Sequence, residues 1–310
     1  MERNSRKIKT IIGIINIFLS IGIIVFGYFY YQKYQTNIKK KEEITNEYRL
    51  LMNDNDIGDQ EITDINNKIQ ELNDIDNSIL TTRDNVFELA KQLETKIKNK
   101  ETSYKIAYIT FDDGPYYNTY KVLDTLKKNH VKATFFTTNT NGTKCYDNKN
   151  ADCHLLYSAI NKDHHTIANH TSSHAIWKGL YTSASSFINA VKKQETLIKD
   201  LTGVTTNIVR FPGGSSTPGK TKKNQMIAEL RKINYGWVDW TAQDGDGGSL
   251  KNSTDAWNNF KGSINDNIEV ILFHDYSTIT LSILPKAIEY LRSKNYILLP
   301  LFYDSVMINK

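Results

Sequence analysis

From Tyr104 onward, short runs of β-branched and aromatic residues alternate with amphipathic stretches, and this alternation leaves the chain few architectures. Apolar runs predict strands over Ile106–Phe111, Ala133–Phe136, Asn207–Phe211, Gly236–Trp240, Glu269–Phe273 and Tyr296–Leu301. Helical spacing predicts helices over Thr119–Asn129, Phe187–Thr202 and Leu284–Lys294. Alternating β and α units imply parallel strands joined by crossover helices, so the expected fold is α/β, a barrel. In such barrels the loops leaving the C-terminal ends of the strands carry the chemistry.

Reactive residue types fall at those ends. Thr110-Phe111-Asp112-Asp113-Gly114 closes the first predicted strand, and Asn169-His170-Thr171-Ser172-Ser173-His174 follows almost sixty residues later. Two histidines and a carboxylate are a recurrent donor set for a divalent ion that keeps one position open for water. Histidines four apart can share one face of a helical turn, so His170 and His174 can reach one ion. Adjacent carboxylates leaving a strand point different ways. Asp113 is therefore read as the metal ligand and Asp112 as the general base, since a metal lowers the pKa of its water enough for a carboxylate to deprotonate it. Zinc is the expected ion; cobalt and other divalent ions suit the same donors.

Arg210-Phe211-Pro212-Gly213-Gly214 offers a guanidinium fork to brace Asp112 and a Gly213 N–H to face an oxyanion. Val238-Asp239-Trp240 supplies an acid and an aromatic wall. Leu272-Phe273-His274-Asp275 supplies His274 as a general acid, with Asp239 raising its pKa if the two touch. The other histidines read as structural: His130 at a helix end, and His154, His164 and His165 in polar surface context. Asp244-Gly245-Asp246-Gly247-Gly248 lacks the distal glutamate of a calcium loop and reads as a mobile rim loop.

Taken together, these segments resemble the polysaccharide deacetylase family (NodB homology, carbohydrate esterase family 4) over about residues 104 to 304. The resemblance implies a distorted (β/α) barrel, often of fewer than eight strands, and metal-dependent removal of an N-acetyl, sometimes O-acetyl, group from a glycan. It implies Asp112 as base, Asp113, His170 and His174 as metal ligands, and Arg210 as the brace of the base. It further implies the residue after Pro212, here Gly213, as an oxyanion donor, Asp239-Trp240 as a fourth motif, Leu272 in the acetyl-methyl pocket, and His274 as a fifth. The chain departs from the family pattern at His164, where glycine is common, at Gly213, where tyrosine is common, and in the polar stretch Thr137–His164.

Ahead of this region, residues 10–32 carry no charge and are long enough to cross a bilayer, with tyrosines and phenylalanine from Tyr28 to Tyr31 at one end. Arg3, Arg6, Lys7 and Lys9 precede the run, and no small-residue cleavage site follows it. Residues 1–33 are thus expected to be a basic cytoplasmic tail and an uncleaved transmembrane anchor. Lys33, Lys39, Lys40 and Lys41 nearly balance the basic flank, so charge alone does not orient the span. Cys145 and Cys153, in a polar stretch, can close a disulfide loop outside the cell, the alternative being reduced thiols.

Residues 34–100 contain no proline, and Ile65, Leu72, Ile79, Val86 and Leu93 recur every seven positions, with Ile62, Ile69, Ala90 and Ile97 on a second seam. A helical stalk follows, either a coiled coil that makes a homodimer or an unpartnered spacer. Residues 101–310 form the catalytic domain. The net charge of +5 suits an anionic cell wall or membrane surface, and no block of Lys and Arg with interleaved aromatics points to nucleic acid. The expected protein is a membrane-anchored, extracytoplasmic deacetylase of N-acetylglucosamine or N-acetylmuramic acid in peptidoglycan. An exopolysaccharide, chitin oligomer or xylan is the alternative polymer, and a non-catalytic glycan-binding or coiled-coil protein the alternative class.

Overall fold

The structure, a computed structural model, describes residues 93–140, 143 and 151–302, with the isolated positions 32, 35–37, 39, 40 and 91. The expected membrane anchor, most of the expected stalk, and Cys145 lie outside the described residues. No helix among the described residues is long and apolar enough to cross a membrane.

The elements run β1 Lys105–Asp112, α1 Thr119–Lys128, β2 Thr134–Thr137, α2 Ala151–Lys162, β3 Thr166–Asn169, a wide helical turn Ile176–Leu180, α3 Ala184–Thr202, β4 Ile208–Val209, α4 Lys220–Lys232, β5 Gly236–Trp237, β6 Ala242–Gln243, α5 Ser253–Ser263, β7 Ile268–His274, α6 Thr278–Ser293 and β8 Tyr296–Leu299. All strand pairs are parallel, in the order β5-β4-β3-β2-β1-β7-β6. Strand β8 pairs with the first half of β1, Lys105 to Tyr108, and β2 with its last three residues, so β8 and β2 share one edge of β1 end to end. No pairing joins β5 to β6 among the described residues, and the sheet is a curled half-barrel open on that side.

Strand β1 is buried from Ile106 to Asp112 because the helices cover its outer face and the barrel interior its inner one. Its period-two alternation sorts the core. Ala107, Ile109 and Phe111 join Phe135, Ile271, Phe273 and the inner faces of α1, α5 and α6. Tyr104, Ile106 and Tyr108 join Phe136, Ala168, Ile208, Val238 and Val270 inside the barrel.

Three helices were not expected from the sequence. In α2 the buried Leu156, Tyr157 and Ile160 are interspersed with His154 and Asn161, so the apolar face is short. In α4 only Met226, Ile227 and Leu230 are buried amid charged residues. Helix α5 starts at Asn252, whose side chain accepts from the Thr254 and Asp255 N–H groups, and buries only Ala256 and Phe260. Helix α6 begins six residues before the expected start, since Ser277 caps it by accepting from Thr280 N. Pro285 lies inside it, tolerated because Ile283, Leu284, Ala287, Ile288 and Leu291 are buried on one face.

Residues ahead of the expected boundary at residue 101 pack against the barrel. Residues 93–98 are helical, Leu93 and Ile97 are buried in the interior cluster, and the buried Glu94 carboxylate accepts from the Tyr108 hydroxyl. Leu93 and Ile97, read as coiled-coil seam positions, are therefore covered by the barrel itself.

Candidate active site

The same alternation that sorts the core aims the site residues. Even-numbered positions of β1 and β7 face inward, so Thr110 and Asp112 on one strand and Leu272 and His274 on the other point into the barrel mouth. Asp112 and His274 stand at the same level in the pairing of β1 with β7. Asp113, one residue on, would face outward in a continuing strand. Its left-handed backbone, φ 70°, turns it back toward the mouth. Gly114 is required beside it, because a Cβ there would stand 2.0 Å from the Asp275 carboxylate. That carboxylate accepts from Thr119 Oγ1 at 2.5 Å.

Asp113, His170 and His174 come together with one ligand atom each inside a 4.8 Å span. His170 and His174 do so from an irregular segment after β3, with Thr171 at φ 64°, and not from the helical turn expected. Asp113 Oδ1 is buried without a hydrogen-bond partner; His170 Nε2 lies 3.4 Å from it and His174 Nε2 3.6 Å. Donors about 2.0–2.1 Å from a tetrahedral ion stand roughly 3.4 Å apart, so the residues present fit a divalent metal. His170 Nδ1 lies 2.9 Å from the Arg210 carbonyl oxygen and donates to it, which leaves Nε2 with its lone pair toward the cluster. Burial raises the Asp113 pKa, but contact with His170 and the charges of His170, His174 and His274 outweigh it and hold the carboxylate at about 2. His174 is lowered by burial and by His170.

Arg210 is fully buried and organises the neighbouring groups. Its Nη1 donates to Asp112 Oδ1 at 2.8 Å and to Thr110 Oγ1 at 2.7 Å, while Nε and Nη2 donate to the carbonyls of Val238 and Asp239. The guanidinium lies over the Phe136 ring, 4.1 Å from its centroid. Asp112 is thereby fixed as an acceptor by a guanidinium that cannot turn away.

The expectation that Asp239 raises the pKa of His274 is corrected. Asp239 accepts from Ser215 N at 2.8 Å and Ser215 Oγ at 2.6 Å, so it pins the turn that carries Gly213. Gly213 has φ 73°, and its N–H has no partner among the described residues. The partner of His274 is Asp246, whose Oδ1 lies 2.7 Å from Nδ1 and whose Oδ2 accepts from the His274 backbone N–H at 2.8 Å. The segment 244–248, read as a mobile rim loop, is thus fixed to the site. Burial lowers the His274 pKa, but the hydrogen bond and charge of Asp246, with Asp112 and Asp113, outweigh it and raise it to about 9.

Behind this pair lies an arrangement of protons that can be counted. Thr280 Oγ1 is 2.5 Å from Asp246 Oδ2 and 2.7 Å from Asp244 Oδ2, yet a hydroxyl donates once. Asp246 already accepts two N–H bonds from His274 and stays ionised. The spare proton therefore sits on Asp244, which donates to Thr280, which donates to Asp246. Burial first, and then the charge of Asp246, raise the Asp244 pKa to about 7, in the same direction.

A family profile described as polysaccharide deacetylase matches residues 99–235. A Bacillus cereus protein called peptidoglycan-N-acetylglucosamine deacetylase is 30% identical over 219 residues, covering 67% of this chain and 73% of that protein. The chain belongs to the polysaccharide deacetylase family. A Bacillus subtilis protein called putative polysaccharide deacetylase YheN is also 30% identical, over 73% of this chain and 76% of its own length. Among solved structures, the catalytic domain of peptidoglycan N-acetylglucosamine deacetylase from Eubacterium rectale superposes with a TM-score of 0.59 at 30% identity, covering 67% of this chain and 93% of that one. The polysaccharide deacetylase Bc1974 from Bacillus cereus superposes at 0.58 with 26% identity, over 66% and 96%.

In this polysaccharide deacetylase, Asp112, Asp113, His170, His174, Gly213, Trp240, Leu272 and His274 line one cleft of about 530 Å³. Its volume suits a sugar-sized ligand. Arg210 and Asp239 lie behind the wall, both fully buried. Tyr276, absent from the sequence reading, lines the cleft with its ring 5.1 Å from that of His274 and edge-on to Tyr116. Asp246, Asp244 and Thr280 were also missed; the only sequence signal was an acid-glycine loop that several roles share.

The remaining histidines divide. His164 has φ 57°, which accounts for the family's usual glycine at that position. His165 is not on the surface as read: it is buried, accepts from the Ala133 N–H at Nδ1 (3.0 Å), and meets Phe135 edge-on. His154 is exposed, and His130 ends α1 with its backbone N–H on the Lys127 carbonyl. Cys153 is disulfide-bonded, and the chain's other cysteine, Cys145, lies outside the described residues.

Proposed function

We propose that this chain hydrolyses N-acetyl groups on a cell-surface glycan, specifically N-acetylglucosamine units of peptidoglycan, to acetate and a free amine. The observation that carries the reading is Asp112, braced by a buried Arg210, beside an Asp113-His170-His174 donor set in a sugar-sized cleft. The names of the Bacillus cereus and Eubacterium rectale relatives support the polymer; a Colletotrichum lindemuthianum relative named chitin deacetylase, 27% identical, keeps chitin oligomers in any substrate panel.

Asp113, His170 and His174 would hold the ion. A divalent metal there, zinc or cobalt, would supply Lewis acidity for the acetyl carbonyl and for water. Asp112 takes the proton of the attacking water on Oδ2, the oxygen 3.8 Å from His170 Nε2, while Arg210 fixes the carboxylate through its other oxygen, Oδ1. The Gly213 N–H meets the oxygen on which negative charge develops. Leu272 and Trp240 wall the acetyl group and the sugar. His274 gives its proton to the leaving nitrogen, and Asp246 holds the imidazolium in register and charged until it does. The C–N bond breaks, acetate carries away the water oxygen, and the amine remains on the glycan.

The charge-free run at residues 10–32 supports placing this domain outside the membrane as an anchored protein. Acetate assayed from peptidoglycan, N-acetylglucosamine oligomers and acetylated xylan tests the substrate; release from xylan alone would exclude the wall polymer.

A further inference from the structure

Two turns carry the metal donor and the general acid, and they are tied to each other. Asp113 follows β1 directly, and His274 ends β7. Asp113 has φ 70°, a left-handed backbone that a residue other than glycine keeps only where its surroundings hold it there. On one side the hold is Thr138, whose N–H donates to the Gly114 carbonyl at 2.9 Å. On the other it is Asp275, the residue after His274. Its carboxylate lies so close to Gly114 that a Cβ there would stand 2.0 Å from Oδ2 and 2.7 Å from Oδ1. Thr119 Oγ1 donates to Asp275 Oδ2 at 2.5 Å and accepts from the Tyr116 N–H at 2.8 Å, so one hydroxyl joins both turns. Beside it, Asn118 Nδ2 donates to the Tyr276 carbonyl at 3.0 Å, and the Tyr116 and Tyr276 rings meet edge-on at 5.5 Å.

Neither Asp275 nor Thr119 lines the cleft, and both are fully buried. Asp275 Oδ1 has no hydrogen-bond partner among the described residues. Burying a carboxyl group in that way costs stability, so an apolar side chain would serve the core better. An apolar side chain could not accept the Thr119 hydroxyl. The effect of the tie is felt at Asp113, whose Oδ1 lies 3.4 Å from His170 Nε2 and 3.6 Å from His174 Nε2, and whose Oδ2 lies 3.8 Å from His274 Nε2. A turn free to relax toward ordinary backbone angles would carry that carboxylate away from all three.

We infer that Asp275 and Thr119 are positioning residues that keep the Asp113 carboxylate where it can hold a divalent ion, acting through the Gly114 turn. This rests on the metal centre of the proposed function. The test is the Kd for cobalt of the metal-stripped full chain, by calorimetry, for wild type, Thr119→Val, Thr119→Ser, Asp275→Ala and Asp275→Asn. Metal-free thermal melts and acetate release from peptidoglycan are measured on each. Thr119→Val and Asp275→Ala should weaken cobalt binding about 10- to 100-fold, the usual effect of losing a group that orients a ligand. Serine keeps the hydroxyl and asparagine keeps an acceptor of the same size, so both should bind cobalt nearly as the wild type does. Combining valine and alanine should cost no more than the worse of the two alone, because they break one link. Metal-free melts that fall while cobalt affinity holds would make the pair merely structural and overturn the inference, as would an asparagine variant that binds no better than alanine. If the alanine variant does not fold, valine against serine at residue 119 decides by the same comparison. No cobalt binding by the wild type would overturn the metal centre and the inference with it. Acetate released with cobalt affinity indifferent to both residues would refute the positioning role alone; cobalt affinity that depends on them in a chain releasing no acetate would refute the reaction alone.

Discussion

Asp246 grips His274 twice, through the imidazole Nδ1 at 2.7 Å and the backbone N–H at 2.8 Å, and so both orients the ring and sustains its charge. Thr280 supplies a third bond to the same carboxylate. The imidazole is therefore a proton donor over a pH range in which an ordinary histidine would be neutral.

Asp246→Asn should move the alkaline limb of kcat/KM. With the carboxylate present the His274 pKa is raised from 6.5 to about 9. Without it, burial dominates and the limb should fall toward neutrality or below. The sign for stability follows the same pair. The raised pKa favours the folded state fully below pH 6.5 and is lost as pH rises through about 9, so thermal melts should lose this pH dependence in the variant. An unchanged alkaline limb would show that His274 is not the group titrating.

Asp244 tests the proton count. Asparagine keeps a donor toward Thr280 and mimics the protonated acid, so Asp244→Asn should lose less activity than Asp244→Ala. Because its pKa is raised, Asp244 holds a proton in the folded state that the unfolded chain releases above about 3.8, and stability from this residue falls as pH rises toward 7. Melting the asparagine variant from pH 4 to 7 should show a shallower fall than wild type. Equal activity losses for Asn and Ala would mean that the charge of Asp244, and not its proton, is needed.

Leu93 and Ile97 are predicted to stabilise the catalytic domain itself. Leu93→Ala should cost about 2–5 kcal/mol in denaturant unfolding of the domain, as for a buried core leucine. A chain beginning at Glu101 should melt well below one beginning at residue 90. Equal melting temperatures would place these residues in the stalk alone.

Much of the site was legible because strand geometry carries it. Once Ile106–Phe111 and Glu269–Phe273 are strands, Asp112 and His274 must leave their ends, and Arg210 must follow the apolar pair Ile208-Val209. What strand geometry does not reach was misread. Asp239 follows a strand and took the partner's role, whereas Asp246 reaches His274 from a loop whose path depends on Asn259 and Thr280 far along the chain. A heptad at Leu93 and Ile97 reports an apolar face and not what covers it. Helices α4 and α5 bury too few residues to impose a period on their polar sequences.

The most direct measurement is acetate release from purified peptidoglycan by the full chain, with chelator, with zinc or cobalt restored, and with Asp112→Asn and His170→Ala. Chelation should abolish release and added metal restore it. Asp112→Asn should still bind metal but lose about 10²–10⁴-fold in rate, the usual contribution of a general base, while His170→Ala should lose metal and activity together. Release that survives chelation, or near-normal turnover by Asp112→Asn, would contradict the assignment of base and metal centre.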